Sequence, residues 1–179
     1  CNVCLSENPQ YASILKLSGE TWEYVAKGVR NSVGFDFHPV TQKLFFTDNG
    51  RDWLGDDSPS CELNRVDEEG LFYGFPFQHA VNIKDPEFGD IQSGYDYVKP
   101  ILELGAHVAP TGIAFYDNHH FPKEFQNNLF ITLHGSWNRS EKVGYKVVRV
   151  TLDQVGEVVT SEYFITGWLQ GQNVLGRPS

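Results

Sequence analysis

Residues 28–76 read GVRNSVGFDFHPVTQKLFFTDNGRDWLGDDSPSCELNRVDEEGLFYGFP. Two short apolar runs, VGFDF and KLFFT, flank a turn at HPVTQ. An Arg-Asn pair, Arg30 and Asn31, precedes the first run. After the second comes an acidic, glycine-containing loop, DNGRDWLGDD, and then ELNRV and YGFP. Strands that end in loops carrying Arg, Asn, Asp and Glu make a rigid scaffold with polar groups along one rim, where binding and catalytic residues tend to lie.

On either side of this stretch the same pattern continues. YASILKL and TWEYVAKG read as strands before it, separated by a Ser-Gly turn. After it come KPILELG, TGIAFY, NLFITL, YKVVRVTL and GEVVTSEYFI. Residues 81–97 are polar and aromatic with Gly, Pro and Asp, and read as a long excursion. FPKEF alone has the pattern of a helical turn. Short alternating runs with no amphipathic helix between them predict an all-β fold.

The chain also repeats itself. ILKL, a turn and EYVAKGVRNSVGFDF correspond to VVRV, a turn and EYFITGWLQGQNVLGRPS. VGFDFHPVTQKLFFT corresponds to TGIAFYDNHHFPKEFQNNLFITL. The unit is four strands, which is one blade of a β-propeller, and the chain holds about two and a half of them where closed propellers need four to eight. Residues 1–179 are therefore expected to form part of a single propeller domain, its remaining blades coming from missing chain or a partner chain.

Composition agrees with strands. Of the 179 residues, 13 are Phe, 8 Tyr and 4 Trp, and aromatic residues favour sheets. The formal net charge of -9, with no Lys/Arg run, argues against a nucleic-acid groove. No apolar stretch is long enough for a membrane helix. There is no methionine, so the chain reads as a mature product or an internal piece of a longer protein.

Cys1 and Cys4 form a C-x-x-C, and Cys61 stands apart. A redox pair, half a zinc site and a local structural disulfide are the three readings. No second C-x-x-C completes a zinc site, and NVCLSENPQ does not open a helix as a redox pair would. The disulfide, in an exported protein, is the expectation; Cys61 is then left over.

With these motifs in order, GVRNxxGFDFHP, LFFTDNGRDWLGDD, ELNRV, YGFP, HVAPTGIAFY and NLFITLHGSWNRS, the chain resembles the glucose/sorbosone dehydrogenase family, above all its sorbosone-dehydrogenase-like branch. That resemblance implies a six-bladed propeller using pyrroloquinoline quinone (PQQ) and Ca2+. Arg30 and Asn31 match the pair that contacts the quinone carbonyls, Arg supplying a fixed fork of donors. Their bland alternative is a turn cap and a surface ion pair. Gly50 and Arg51 match the positions whose backbone carbonyls bind calcium, although Arg replaces a Pro found in one branch. Asp48, Asp52, Asp56 and Asp57 offer further oxygens, without EF-hand spacing. The alternative there is a solvated acidic turn. Glu62 and Asn64 are expected to hold this loop in place.

His107 falls where the family has a polar residue near the cofactor, against a purely structural role. His134 stands where relatives carry a Lys for a PQQ carboxylate; His134 or Arg139 would supply that charge. Trp137 either stacks on the cofactor or fills the core. Arg177 matches one of two carboxylate-binding arginines, the second position being Ser179. His119 and His120 receive no function. Asn138-Arg139-Ser140 is a formal glycosylation sequon whose place at the rim argues against modification.

The implied activity is oxidation of an aldose or sorbosone-like sugar by hydride transfer to the quinone, with Arg30 stabilising developing charge. The family's general base is a His that no residue here matches, so this piece alone is expected to be inactive. The expected partners are a sugar, an electron acceptor and the remaining blades, and the expected location is periplasmic or extracellular. A non-catalytic propeller of the same superfamily, binding a protein or glycan, is the alternative; a structural or matrix propeller is a third class.

Overall fold

The computed structural model describes residues 2–91 and 96–179. Cys1 and part of the 81–97 excursion lie outside them. Strands β1 (Ser13–Ser18) and β2 (Thr21–Lys27) form an antiparallel pair. β3 (Phe35–Phe37), β4 (Leu44–Asp48), β5 (Ser60–Arg65), then after short strands β6 (Leu71–Phe72), β7 (Gln78–His79) and β8 (Ile83–Lys84), β9 (Leu102–Ala106) follow. β10 (Pro110–Phe115), β11 (Leu129–Leu133), β12 (Lys146–Leu152) and β13 (Val158–Ile165) come next, and a small hairpin, β14 (Leu169–Gln170) and β15 (Asn173–Val174), ends the order. FPKEF gives a single 3-10 turn, Lys123–Phe125. No helix among the described residues is long and apolar enough to cross a membrane.

Two four-stranded antiparallel sheets, β3-β4-β5-β9 and β10-β11-β12-β13, carry the molecule. β6 adds in parallel to β2, giving a third sheet, β1-β2-β6. The strand pairs of the sequence repeat are thus equivalent in structure: β3-β4 with β10-β11, and β1-β2 with β12-β13.

β4 explains how the sheets stack. Side chains alternate along a strand, and all five residues of LFFTD are buried. Phe45 faces β10–β13 in a core with Leu63, Phe115, Leu129, Ile131 and Val150. Leu44 and Phe46 face β2 in a second core with Val25, Ala26, Val29 and Tyr73. The turn before β4 is organised by buried His38, whose Nδ1 accepts from the amides of Val40 and Thr41 at 3.1 Å each. At β2's end the Gly28 backbone has φ +66°, and a Cβ there would stand 2.8 Å from the Phe72 ring, so only glycine lets the Phe72–Gly74 stretch pack so closely.

Arg65 ties one sheet to the next. Its guanidinium donates to Gly156 O at 2.7 Å, to Glu157 Oε1 at 2.7 Å and to both Asp67 oxygens at 2.9 Å. The side chain is 8% exposed, while Asp67 and Glu157 are half in water. Arg65→Ala is expected to lower stability by about 2 kcal/mol, between the value of a surface pair and the loss of a buried one. A denaturation midpoint unchanged from wild type would show that the clamp holds nothing.

Cys4 and Cys61 are free thiols. The expected Cys1–Cys4 bridge therefore has no support at Cys4, and its other half lies outside the described residues.

Candidate functional site

The loops leaving β2, β4, β9 and β11 converge on one cleft of about 110 Å3. Arg30, Asn31, Gly50, His107, Trp137 and Asn138 are on its wall. Sequence separation between them reaches across the chain; the fold brings them together because the strand ends of neighbouring sheets share one rim.

Asp48 builds the first part. It is the last residue of β4 and, two residues on from Phe46, shares that side chain's buried face. Its Oδ2 accepts from the Arg30 amide at 2.8 Å and its Oδ1 from the Asn31 amide at 2.6 Å. One carboxylate thus fixes the backbone of the Arg-Asn pair. The Asn31 carbonyl accepts from the Asn49 amide at 3.2 Å and from its side chain at 2.9 Å. Asn31 itself is exposed at the cleft.

Arg30 is held tightly. Nε donates to Asn2 O at 2.9 Å, and the two terminal nitrogens reach Asn49 O at 3.1 Å, Asn2 Oδ1 at 2.8 Å and Asp52 Oδ2 at 3.1 Å. Asn2 Oδ1 also accepts from the Asp52 amide at 2.8 Å. A primary amide from the start of the chain therefore sits in the grip of Arg30 and Asp52.

Behind Asp48 lies Glu62, its register partner on β5. Glu62 accepts from the Ala80 amide at 2.7 Å and from Asn64 Nδ2 at 2.9 Å. Burial pushes Asp48 up to about 6, against the pull of the Arg30 and Asn31 amides and the Arg30 charge. Burial, reinforced by the Asp48 charge, pushes Glu62 up to about 7. Two carboxyls this close in a dry site do not both ionise readily. Cys61, on the cleft floor, is buried, and that burial pushes its thiol up.

The acidic loop is not a free ligand set. Asp52 Oδ1 accepts from Asn138 Nδ2 at 2.8 Å, Asp56 from the Ser140 amide at 3.1 Å, and Asp57 from Arg139 at 2.7 Å. Arg51 turns its side chain away from the cleft, onto buried Asp85 and toward Glu87 at 3.6 Å. Asp85 also bonds His79 Nε2 at 2.7 Å. Burial would raise the Asp85 carboxyl, but His79, Arg51 and the Phe88 and Glu87 amides lower it to about 2. Arg51, through Asp85, and Glu62, through the Ala80 amide, fasten residues 80–85 to the rim; the hydrogen bonds of Glu62 go to Ala80 and Asn64 rather than to the acidic loop it was expected to hold.

Of the residues singled out from sequence, Arg30, Asn31, Gly50, His107 and Trp137 meet at the cleft. His107 has φ +61°, a strained value for a side-chain-bearing residue, and its Nε2 bonds Gly55 O at 2.7 Å. Trp137 is 68% exposed and meets Trp53 edge-on at 5.7 Å, so it does not fill the core. His134, Arg139 and Arg177 are not on this wall. His134 Nδ1 bonds Pro178 O at 3.1 Å, Arg177 donates to Gly135 O at 3.0 Å over the Tyr145 ring, and Arg139 locks the loop at Asp56 and Asp57. Asn138 carries the sequon, but Nδ2, the atom a glycan would join, is engaged with Asp52.

Asn2 and Asn138 were not picked out as part of the binding wall, and Asp48 and Asp52 were singled out only as further oxygens for calcium. For Asp48 a signal existed: alternation places it with Leu44 and Phe46. No signal in the sequence couples Asn2 to Arg30.

The wall has open valences. Asn138 Oδ1 is buried without a hydrogen-bond partner. The space where a Gly50 Cβ would stand is bounded by Pro59 O and Ser60 O at 3.0 Å each. Carbonyl and amide oxygens are among the ligand types that a hard cation such as calcium takes. Among the described residues no group of three or more His, Cys, Asp and Glu is arranged to hold a metal.

Stacked antiparallel blades with a polar cleft at one rim define a class, propeller proteins whose site lies at the blade ends. A profile of the TrAA12-like family matches residues 66–166, and the chain belongs to that family. An uncharacterized protein of Borreliella burgdorferi is 43% identical over 167 residues, covering 92% of this chain and 44% of the relative. Aldose sugar dehydrogenase YliI of Escherichia coli is 30% identical over 132 residues, 70% of this chain and 32% of that protein. The fold is shared with the calcium structure of the Trichoderma reesei AA12 enzyme, at TM-score 0.65 and 23% identity over 80% of this chain and 44% of that one. It is shared too with the holo PQQ domain of Coprinopsis cinerea pyranose dehydrogenase, at TM-score 0.60 and 21% identity over 86% and 46%. The chain thus spans less than half the length of these relatives. Its kin are AA12 enzymes and PQQ-dependent sugar dehydrogenases, an oxidoreductase superfamily.

Proposed function

We propose that this chain is part of a six-bladed, PQQ- and calcium-dependent dehydrogenase acting on an aldose or sorbosone-like sugar outside the cytoplasm. The observation that carries the reading is the convergence of Arg30, Asn31, Gly50 and Trp137 on one cleft, with the Arg-Asn backbone fixed by Asp48. Residues 1–179 form one portion of the propeller domain, and the rest of the ring comes from further chain. When bound, PQQ would supply a hydride acceptor and calcium a Lewis acid beside it. The exposed Asn31 side-chain amide would offer a donor to the quinone carbonyl, and the Arg30 fork would add its own once released from Asn2. Gly50 O, Arg51 O and Asn138 Oδ1 would supply oxygens to the cation. Trp137 would shield the cofactor from water. His107 closes the far wall. The proton acceptor for the sugar hydroxyl is a residue beyond this chain.

One observation favours the second reading, a propeller that binds a protein or glycan without catalysis: Arg30 is already satisfied by Asn2, Asn49 and Asp52. Titration of the full-length protein with PQQ, with and without calcium and followed by the quinone absorbance, separates the two. Saturable, calcium-dependent binding is expected, weakened at least tenfold, about 1.4 kcal/mol, in Arg30→Ala. No binding by a folded, calcium-loaded protein overturns the dehydrogenase reading.

A further inference from the structure

On the other side of Arg30 lies a second cavity, of about 480 Å3. It is framed by the 4–12 segment, the end of β2 and the Phe72–Phe77 stretch. That volume is in the range of small-molecule sites. Five aromatic rings line it: Tyr11, Tyr24, Phe72, Phe75 and Phe77. The chain carries 23 acidic residues against 14 basic ones, yet among the described residues no carboxylate faces this space. Its charged side chains are Lys27 and Arg30. Arg30 is engaged by Asn2, Asn49 and Asp52, as described above. Lys27 lies over the Tyr24 ring with Nζ 4.7 Å from its centroid, and no ion pair of Lys27 occurs among the described residues.

Aromatic walls select a flat apolar body. A lysine without a carboxylate partner selects a negative charge at the edge of that body. A sugar is disfavoured, because its many hydroxyls need carboxylate and amide partners and the lining offers few besides Ser6 and Asn8. We propose that this cavity binds a small planar aromatic anion, with its acid group on Lys27. Resting on the reading of the neighbouring cleft, the compound is an aromatic quinone acid serving as electron acceptor. It takes two electrons and two protons and leaves as the hydroquinone, and the PQQ quinol returns to the quinone. The two spaces share Arg30 as a common wall.

Anthraquinone-2-sulfonate is a suitable probe, followed by isothermal titration against the full-length protein without PQQ. Saturable one-to-one binding is expected. Lys27→Gln is expected to weaken it at least fivefold, and 2-methylanthraquinone, which lacks the charge, is expected to bind equally to wild type and Lys27→Gln. Tyr11 is 66% exposed, so Tyr11→Ala leaves the fold intact and is expected to weaken both compounds about threefold. Absence of saturable binding, or sulfonate binding indifferent to Lys27→Gln, overturns the site. One-for-one displacement of the probe by PQQ also overturns it, since the probe then occupies the cofactor cleft. If the probe binds through Lys27 but PQQ does not bind at all, the anion site stands, and the acceptor role falls with the dehydrogenase reading.

Discussion

Phe45→Ala is expected to destabilise the protein by about 4 kcal/mol and to lower its melting temperature by on the order of 10 °C. Phe45, the second residue of β4, is fully buried and packs between the two four-stranded sheets. Its ring meets Phe115 edge-on at 5.2 Å, and His38 packs against the same pair at 6.1 and 5.0 Å. Truncation removes the apolar area and leaves a hole walled by both sheets, which cannot collapse without shifting the strand pairing on either side. Phe45→Leu fills most of that hole and is expected to cost less than half as much. Urea denaturation of the three proteins checks this; a loss under 1 kcal/mol for the alanine variant would mean that the sheets do not stack through this residue.

Glu62→Gln is expected to stabilise the protein at pH 8 by about 3 kcal/mol in calcium-free solution. Glu62 titrates at about 7 rather than at its ordinary 4.5. A carboxyl raised by folding favours the folded state in its protonated form. That contribution is complete below the unfolded value and is lost as the pH climbs through the folded one, so wild-type stability is expected to fall between about pH 5 and pH 8. Gln keeps an oxygen for the Ala80 amide and presents its NH2 to Asn64, whose unpartnered Oδ1 can receive it after an amide flip. With the second charge gone, Asp48 is expected to ionise more easily and to hold the Arg30 and Asn31 amides better. Denaturation midpoints at pH 5 and pH 8 decide it. A variant less stable than wild type at pH 8 would refute the idea that the acidic pair is strained when ionised.

The blade strands were legible because each is long enough to show alternation. LFFTD, LFITL and KVVRVTL all announce a buried face, and the repeat located their partners. The two-residue strands β6, β7, β8, β14 and β15 were not legible, because two residues show no period. VGFDF shrinks to Phe35–Phe37, although the Thr47 amide still donates to the Gly34 carbonyl at 3.0 Å in register with the same strand pair. At the site, Arg30, Asn31 and Gly50 came from motif order. The acidic loop misled: DNGRDWLGDD reads as a pool of free oxygens, whereas Asp52, Asp56 and Asp57 each hold a backbone or side-chain donor. Arg51 reads as a loop residue, but its guanidinium belongs to Asp85, thirty-four positions on, a pairing that only the tertiary fold creates.

The Asn2 amide gives the protein a tethered competitor for its own arginine. A ligand that needs the Arg30 fork either binds on top of Asn2 or evicts it. In the second case its apparent dissociation constant is the intrinsic one divided by the fraction of molecules in which Asn2 has let go of Arg30. Affinity at this rim is then set partly by how firmly Asn2 is fastened to Arg30 and Asp52, and a change there would retune the site without touching any group that meets the ligand.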